Sequence, residues 1–184
     1  MGDYYPAEIH IGGPIPRAAL DDLIGRILAE GASLDGYGEP AATEEGLREA
    51  FQQGGTVHLC DEQASFGQFE ALEAFLVEHG VHFDRHCDAY HEYDAENVHY
   101  RGGEPLHLPS DQAGNILLHS EDVLNALNDG SLDDCAKIDA IHRLAAPPET
   151  APLSPVRLVS HCLDQERKPP CSSKSAPVTT PPHG

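Results

Sequence analysis

Near the N-terminus, the spacing of apolar residues changes from that of a β-strand to that of an α-helix, and this change limits the possible folds more than any other feature. Ala7, Ile9 and Ile11 alternate with polar residues, which is the two-residue period of a half-buried β-strand. After a glycine- and proline-rich turn at residues 12–16, apolar residues recur over 20–28 at the spacing of an amphipathic helix. A strand followed directly by such a helix predicts a sheet that is covered by helices.

The same two periods recur further along the chain. Segments 56–60 and 81–87 have strand patterns, and an apolar stripe between them predicts a helix that ends near residue 80. Segment 97–101 is expected to return antiparallel to 81–87, which would form a hairpin. Thr43 is the predicted N-cap of a short helix before these elements.

Two short helices are predicted after this hairpin. Ser120 is the expected N-cap of the first. Ser131 and Asp134 have the spacing of a capping box for the second. From residue 147 onward, proline, serine and threonine replace the periodic pattern, which predicts a disordered, flexible tail with one docked segment near 156–159.

These elements predict an α+β protein with a small mixed sheet of about four or five strands and with helices mainly on one face. The ferredoxin-like class is the natural comparison, on topology alone, and it carries no functional information. We expect one acidic domain over residues 1–146, followed by the tail at 147–184.

The charge of the chain excludes some classes of partner. There are 31 acidic against 11 basic residues, for a formal net charge of -20. Residues 1–145 hold 28 of the acidic and 7 of the basic residues, hence a formal charge of -21. Such a surface repels phosphate groups, so direct binding to nucleic acid or to an anionic membrane is disfavoured.

The remaining composition is that of a cytoplasmic protein. No stretch of apolar residues is long enough to span a membrane, and the first residues lack the pattern of a secretory signal. The five cysteines are odd in number and form no C-x-x-C pair, so they predict reduced thiols and neither a disulfide framework nor a zinc ribbon.

The acidic surface favours a non-enzymatic interaction or accessory protein that docks on a basic protein surface. In a sharper version, carboxylates spaced like phosphates would imitate DNA and inhibit a nucleic-acid-binding protein. A surface that serves solubility alone is the competing interpretation.

Metal binding is the alternative function. A two-residue period puts His82, Asp84 and His86 on one face of their strand, and His99 joins them if the predicted hairpin forms. His91, in the connecting loop, could also contribute. Imidazole and carboxylate ligands suit Zn²⁺ or another divalent ion. An exposed strand face filled with polar residues explains the same pattern without a metal.

Catalysis is the third interpretation. Asp61 and Glu62 follow a predicted strand and could hold Mg²⁺ or act as an acid/base pair, although acidic residues also favour a helix N-terminus. Cys60 and Cys87 lie in strand patterns, where cysteine is usually a small buried hydrophobe. The Gly12–Gly13 turn lacks a phosphate-binding motif, and the chain has no hydrolase motif.

Overall fold

The computed structural model describes residues 3–34, 36–89, 94–111, 115–145 and 150–160. The strands within these ranges are β1 (Tyr4–Gly12), β2 (Pro14–Pro16), β3 (Val57–Ser65), β4 (His82–Cys87), β5 (Ala95–Tyr100), β6 (Leu106–Ser110) and β7 (Arg157–Val159). The helices are α1 (Leu20–Glu30), α2 (Glu44–Gln52), α3 (Glu70–Glu78), α4 (Ser120–Asn128) and α5 (Asp134–Ala145). A 3-10 turn at Arg17–Ala19 leads into α1.

The predicted α+β class is confirmed, with a sheet of five strands in the order β3-β1-β4-β5-β6. Every neighbouring pair in this sheet is antiparallel, so the sheet is not the mixed one that was expected. Two helices connect β1 to β3 and return the chain to the end of the sheet at which β1 finishes. Parallel pairing is confined to the separate pair formed by β2 and β7.

The core lies between one face of the sheet and helices α1, α2 and α3. β1 buries its odd-numbered side chains, as the alternating pattern predicted, and the helices bury the stripes that face it. Representative members of this core are Ile9, Ile11, Leu23, Ile27, Leu47, Phe51, Leu59, Leu72, Leu76 and Phe83. The opposite face of the sheet carries polar residues of β1, β3, β4 and β5, and it also carries Leu106 and Leu108 of β6.

Several helix and strand ends differ from the prediction. Thr43 caps α2 as expected, since its Oγ1 accepts a hydrogen bond from the Gly46 N–H at 3.2 Å. The capping box at Ser131 was wrong, because Asp133 Oδ1 accepts the bond from the Ala136 N–H at 2.8 Å. The first of the two late helices already includes Ser120, and its N-cap is His119 without a side-chain bond. Strand β6 was not predicted.

The segment 150–160 packs onto the first turn of the chain. β7 pairs with β2, and Val156 is buried in the core, so the segment predicted to dock near 156–159 is present. The Gly13 N–H donates to the Ser154 carbonyl at 2.8 Å. A Cβ on Gly12 would lie 2.8 Å from Leu153 Cγ, so this glycine permits the close approach of the segment. Residues 161–184 of the predicted tail lie outside the described ranges.

Helices α4 and α5 contact each other and follow the sheet in the chain. Neither helix contains a buried residue. None of the described helices combines the length and the apolar character that crossing a membrane requires.

Candidate metal centre

The polar face of the sheet gathers side chains from four strands. Even-numbered residues of β1 point away from the core, and the strand register sets their neighbours. Glu8 lies opposite Cys60 on β3 and opposite His86 on β4. His10 lies opposite His58 on β3 and opposite Asp84 on β4. The face therefore carries the following polar side chains: Glu8, His10, His58, Cys60, His82, Asp84, His86, Asn97 and His99.

Three of these side chains converge between β1 and β3. His58 Nε2 lies 3.0 Å from Glu8 Oε2 and 3.4 Å from Cys60 Sγ. The three possible ligand atoms are all within 4.8 Å of one another. Across the part of the chain that the structure describes, this is the one place where three or more potential metal ligands meet in this way.

The register explains how the three atoms come together. Glu8 and Cys60 are a directly opposed pair, and His58 is the diagonal neighbour of Glu8 on the same face. Antiparallel pairing brings such side chains within reach of each other, and the longer carboxylate and imidazole close the diagonal. The pairing of the edge strand β3 with its inner neighbour β1 thus fixes the positions of all three donors.

The electrostatics of the cluster disfavour a thiolate when no metal ion is bound. Cys60 is only 3% exposed but does not belong to the cluster of buried apolar residues. Burial raises the pKa of its thiol, and the negative charge of Glu8 raises it further. A bound metal ion would reverse this, because a coordinating thiol loses its proton and a carboxylate gains a counter-charge.

The geometry does not match a nucleophilic triad. In such a triad, one imidazole nitrogen faces the nucleophile and the other faces the orienting carboxylate. Here Glu8 and Cys60 both approach Nε2 of His58. The three atoms lie close enough together to be ligands of one ion.

His10 borders the cluster without joining it. Its ring is stacked on that of His58, with 4.2 Å between the centroids and 5° between the planes. Imidazole lone pairs lie in the ring plane, so two parallel stacked rings cannot point at one ion. Burial and the neighbouring His58 lower the pKa of His10, which keeps its ring neutral.

Tyr37 lies near the same cluster. Burial raises the pKa of its phenol, and Glu8 and Cys60 raise it further. The phenol therefore remains protonated and is not an anionic ligand.

Of the four predicted ligands on the histidine face, the structure brings Asp84 and His99 together. Asp84 Oδ1 lies 2.7 Å from His99 Nδ1, and its Oδ2 accepts a bond from Arg101 Nη2 at 2.8 Å. Burial acts to raise the pKa of Asp84, but the hydrogen bonds from Arg101 and His99 outweigh it and leave the pKa below its usual value. An arginine already neutralises this carboxylate.

His82 and His86 face other partners. His86 Nδ1 lies 2.9 Å from Asn97 Oδ1, and its Nε2 lies 3.3 Å from Asp88. His82 is packed beside Gly13, where an added Cβ would lie 2.8 Å from its Nδ1. Neither joins Asp84 in a group of three potential ligands among the described residues. His91 lies outside those residues.

The weak catalytic candidates Asp61 and Glu62 lie within β3 rather than at its end, because this strand continues to Ser65. Asp61 Oδ1 accepts a hydrogen bond from the Gln63 N–H at 2.8 Å. Both side chains line a shallow cavity of about 300 Å³ together with Tyr37 and Cys60. Glu39, Tyr37 and Cys60 are the other titratable residues that line it.

Cys60 and Cys87 are both buried, as expected, and Cys87 belongs to the apolar core. Its Sγ lies 3.4 Å from Nη1 of the buried Arg85. Burial raises the pKa of its thiol. It is separated from the polar face, since odd-numbered residues of β4 point into the core.

The sequence carried a signal for the cluster between β1 and β3 that local patterns could not resolve. Both strands were predicted, and the two-residue period places the Glu8 side chain on the face of β1 opposite to the face that Ile9 occupies. The pairing of the two strands was missing from the prediction, and with it the proximity of Glu8 to His58, which lie 50 residues apart. No protein-family model, curated protein or solved structure matches the chain.

Proposed function

We propose that the protein binds a transition-metal ion, with Zn²⁺ as the first candidate, through Glu8, His58 and Cys60. The observation that carries this proposal is the convergence of a carboxylate oxygen, an imidazole nitrogen and a sulfur within 4.8 Å of one another. These are the three atom types that proteins use to bind zinc. Their placement on paired strands holds them without a flexible loop.

The donor set also favours one class of ion over another. Thiolate and imidazole ligands suit Zn²⁺ and the neighbouring transition metals, whereas Mg²⁺ and Ca²⁺ prefer oxygen ligands. Three protein ligands leave one position of a tetrahedral ion for water or an external ligand. The proposed centre is therefore an open site, from which exchange or metal-assisted chemistry becomes possible.

The test is titration of the full chain, freed of bound metal, with Co²⁺ and Zn²⁺. We expect one ion per chain and a Co²⁺ absorption band from charge transfer with a thiolate. Cys60→Ser should abolish that band, whereas Cys135→Ser, which changes an exposed cysteine of α5, should leave it unchanged. A band that survives Cys60→Ser would refute the proposed ligand set.

A second pair of variants separates this centre from the histidine face. His58→Gln should weaken Zn²⁺ binding by at least about tenfold, because it removes one of three ligands. His86→Gln should leave the affinity unchanged, since this imidazole is bonded to Asn97. The opposite result would assign the ion to the set of His82, Asp84, His86 and His99.

Docking on a basic protein surface is the second proposed function, and the distribution of charge favours it. Helices α1 to α4 have acidic residues in their first turns and no basic residue in their last turns. Three of the arginines, Arg48, Arg85 and Arg101, are already paired with carboxylates of the same chain. Excess negative charge is thus available to steer a basic partner, and such binding should weaken as salt is added.

A further inference from the structure

Helices α4 and α5 form a hairpin with an unusual surface. Of the eight large apolar side chains that are exposed in the described residues, four belong to this hairpin: Leu124 at 55%, Leu127 at 46%, Ile138 at 54% and Leu144 at 39%. Helices α1, α2 and α3 differ from this hairpin, because each of them buries apolar side chains in the core.

The hairpin has apolar side chains in two places. Half-buried residues such as Val123 and Ile141 occupy positions between the exposed ones. These interior positions are sufficient to explain why the two helices pack against each other. Leu124 and Ile138 stay exposed although the two helices pack together, so this packing does not explain why apolar residues occupy these two positions. Leu124 and Leu127 are three residues apart and so are neighbours on one face of α4, and neighbouring exposed apolar residues mark interaction sites.

Acidic residues flank these apolar side chains in the sequence. Glu121 and Asp122 lie in the first turn of α4, and Asp134 begins α5. Asp129, Asp133 and Asp139 add to them, whereas Lys137 and Arg143 are the basic residues of the hairpin. An apolar surface with an acidic rim is complementary to a helix that has leucine-like residues on one face and Lys or Arg beside them.

We propose that the α4–α5 hairpin is the docking surface for a Lys/Arg-rich amphipathic helix of a partner protein. This inference rests on the second proposed function and names its surface. Helices of nine and twelve residues are about 14 and 18 Å long, which matches two to three turns of a bound helix. The partner is expected to place apolar residues at i, i+3 or i+4, and i+7 against Leu124 and Ile138.

The negative charge of the protein argues against two other binding partners for the hairpin. A second copy of this chain would bring an equally acidic surface to the interface, at a net charge of -20 for each chain. An anionic lipid surface is repelled by the same rim. Both occupants are distinguishable from a basic helix by experiment.

The experiment measures the binding of a fluorescein-labelled, 18-residue synthetic peptide of Leu and Lys, designed as an amphipathic helix, to the full chain by fluorescence anisotropy. A peptide of the same composition, scrambled so that no apolar face forms, controls for charge alone. The variant Leu124→Ser/Leu127→Ser tests the hairpin. Leu28→Ser, which changes an exposed leucine of α1, is the matched control.

We expect the amphipathic peptide to bind at least tenfold more tightly than the scrambled one. The hairpin variant should lose at least tenfold in affinity, and Leu28→Ser should lose none. Failure of the unmodified protein to bind either peptide would contradict docking on a basic partner altogether. Binding that is equal for the two variants would retain docking but refute the hairpin as its site.

Further measurements address folding and the alternative occupants. Circular dichroism should show unchanged helix content in the double variant, and the conservative Leu124→Met/Leu127→Met should restore binding, since an apolar face is retained. Self-association in sedimentation velocity that disappears in Leu124→Ser/Leu127→Ser would assign the surface to a second copy and overturn the proposal. Binding to anionic vesicles that Leu124→Ser/Leu127→Ser abolishes would also overturn the proposal.

Discussion

The imidazole rings of His10 and His58 are stacked in parallel, with 4.2 Å between their centroids. The stack holds His58 in place while its Nε2 faces Glu8 and Cys60. His10 thus supports the proposed metal centre from the side and offers it no lone pair.

This relationship predicts different outcomes for the two histidines. His10→Phe keeps an aromatic ring beside His58, so Zn²⁺ affinity should stay within about threefold of that of the unmodified protein. His58→Phe removes a ligand and should abolish stoichiometric binding. Isothermal titration of both variants makes the comparison. Loss of binding in His10→Phe alone would identify His10 as a ligand and refute the proposed geometry.

Arg85 is predicted to be essential for stability. Its side chain is buried among core residues, where it pairs with Glu73 at 3.0 Å and also with Glu96. Arg85→Met would leave two partly buried carboxylates without their counter-charge, so the free energy of unfolding should fall by about 3 kcal/mol. Urea denaturation measures this change.

A control and a rescue accompany that experiment. Arg48→Met removes exposed ion pairs with Asp21 and Glu44 and should change the urea midpoint little. Adding Glu73→Gln and Glu96→Gln to Arg85→Met should recover part of the loss, because the uncompensated charges are removed. An Arg85→Met protein as stable as the unmodified one would show that the pairing does not stabilise the fold.

Gly12→Ala is predicted to loosen the segment 153–159. The added Cβ would lie 2.8 Å from Leu153 Cγ, and it would also meet the Ser154 carbonyl. We expect a loss of about 1–3 kcal/mol in the free energy of unfolding, as overpacking typically produces. Faster hydrogen exchange at the Val156 amide, which donates to the Gly55 carbonyl at 2.9 Å, would locate the effect.

Gly25 provides the matched control for that substitution. It lies inside α1, and an added Cβ there would meet nothing within 4 Å. Gly25→Ala should therefore stabilise the protein by about 0.5–1 kcal/mol through helix propensity. If both alanine variants had the same effect, the close packing at Gly12 would not determine the result.

The pH dependence of stability should carry a contribution from His82. Burial, together with the positive charge of Arg101, lowers its pKa below the ordinary value of 6.5. The unfolded chain then binds a proton more readily than the folded one, so stability should decrease as the pH falls below 6.5 and should stop decreasing below the folded pKa. The contribution is fully present above pH 6.5.

The variant His82→Asn isolates that contribution. Its urea midpoint should fall less steeply between pH 7 and pH 5 than that of the unmodified protein, and His142→Asn, at an exposed position of α5, should keep the original slope. A slope that His82→Asn leaves unchanged would mean that another group is responsible.

Local periodicity was enough to predict β1, α1 and the β4–β5 hairpin. It also placed His99 correctly on the same face as Asp84, because the two strands are close in sequence and one residue of slip would expose Val98. Strand β6 escaped prediction, since Pro109 and the polar residues around it obscure its alternation.

Long-range pairing limited the prediction of the site. Glu8 meets His58 because β1 lies between β3 and β4, and no local pattern specifies that order. The same limit applies to Arg85, whose position in β4 faces the core. Its charge is tolerated there only because Glu73 and Glu96 arrive from other elements.

The position of β1 inside the sheet has a consequence during translation. Of the five strands in the sheet, β1 leaves the ribosome before the others, so both of its neighbours, β3 and β4, are synthesised later. Translation adds about 5–20 residues per second, so the apolar face and both edges of β1 stay unpaired for several seconds. The nascent chain therefore exposes an apolar strand during this interval, and the proposed metal centre is complete only after β3 has emerged and paired.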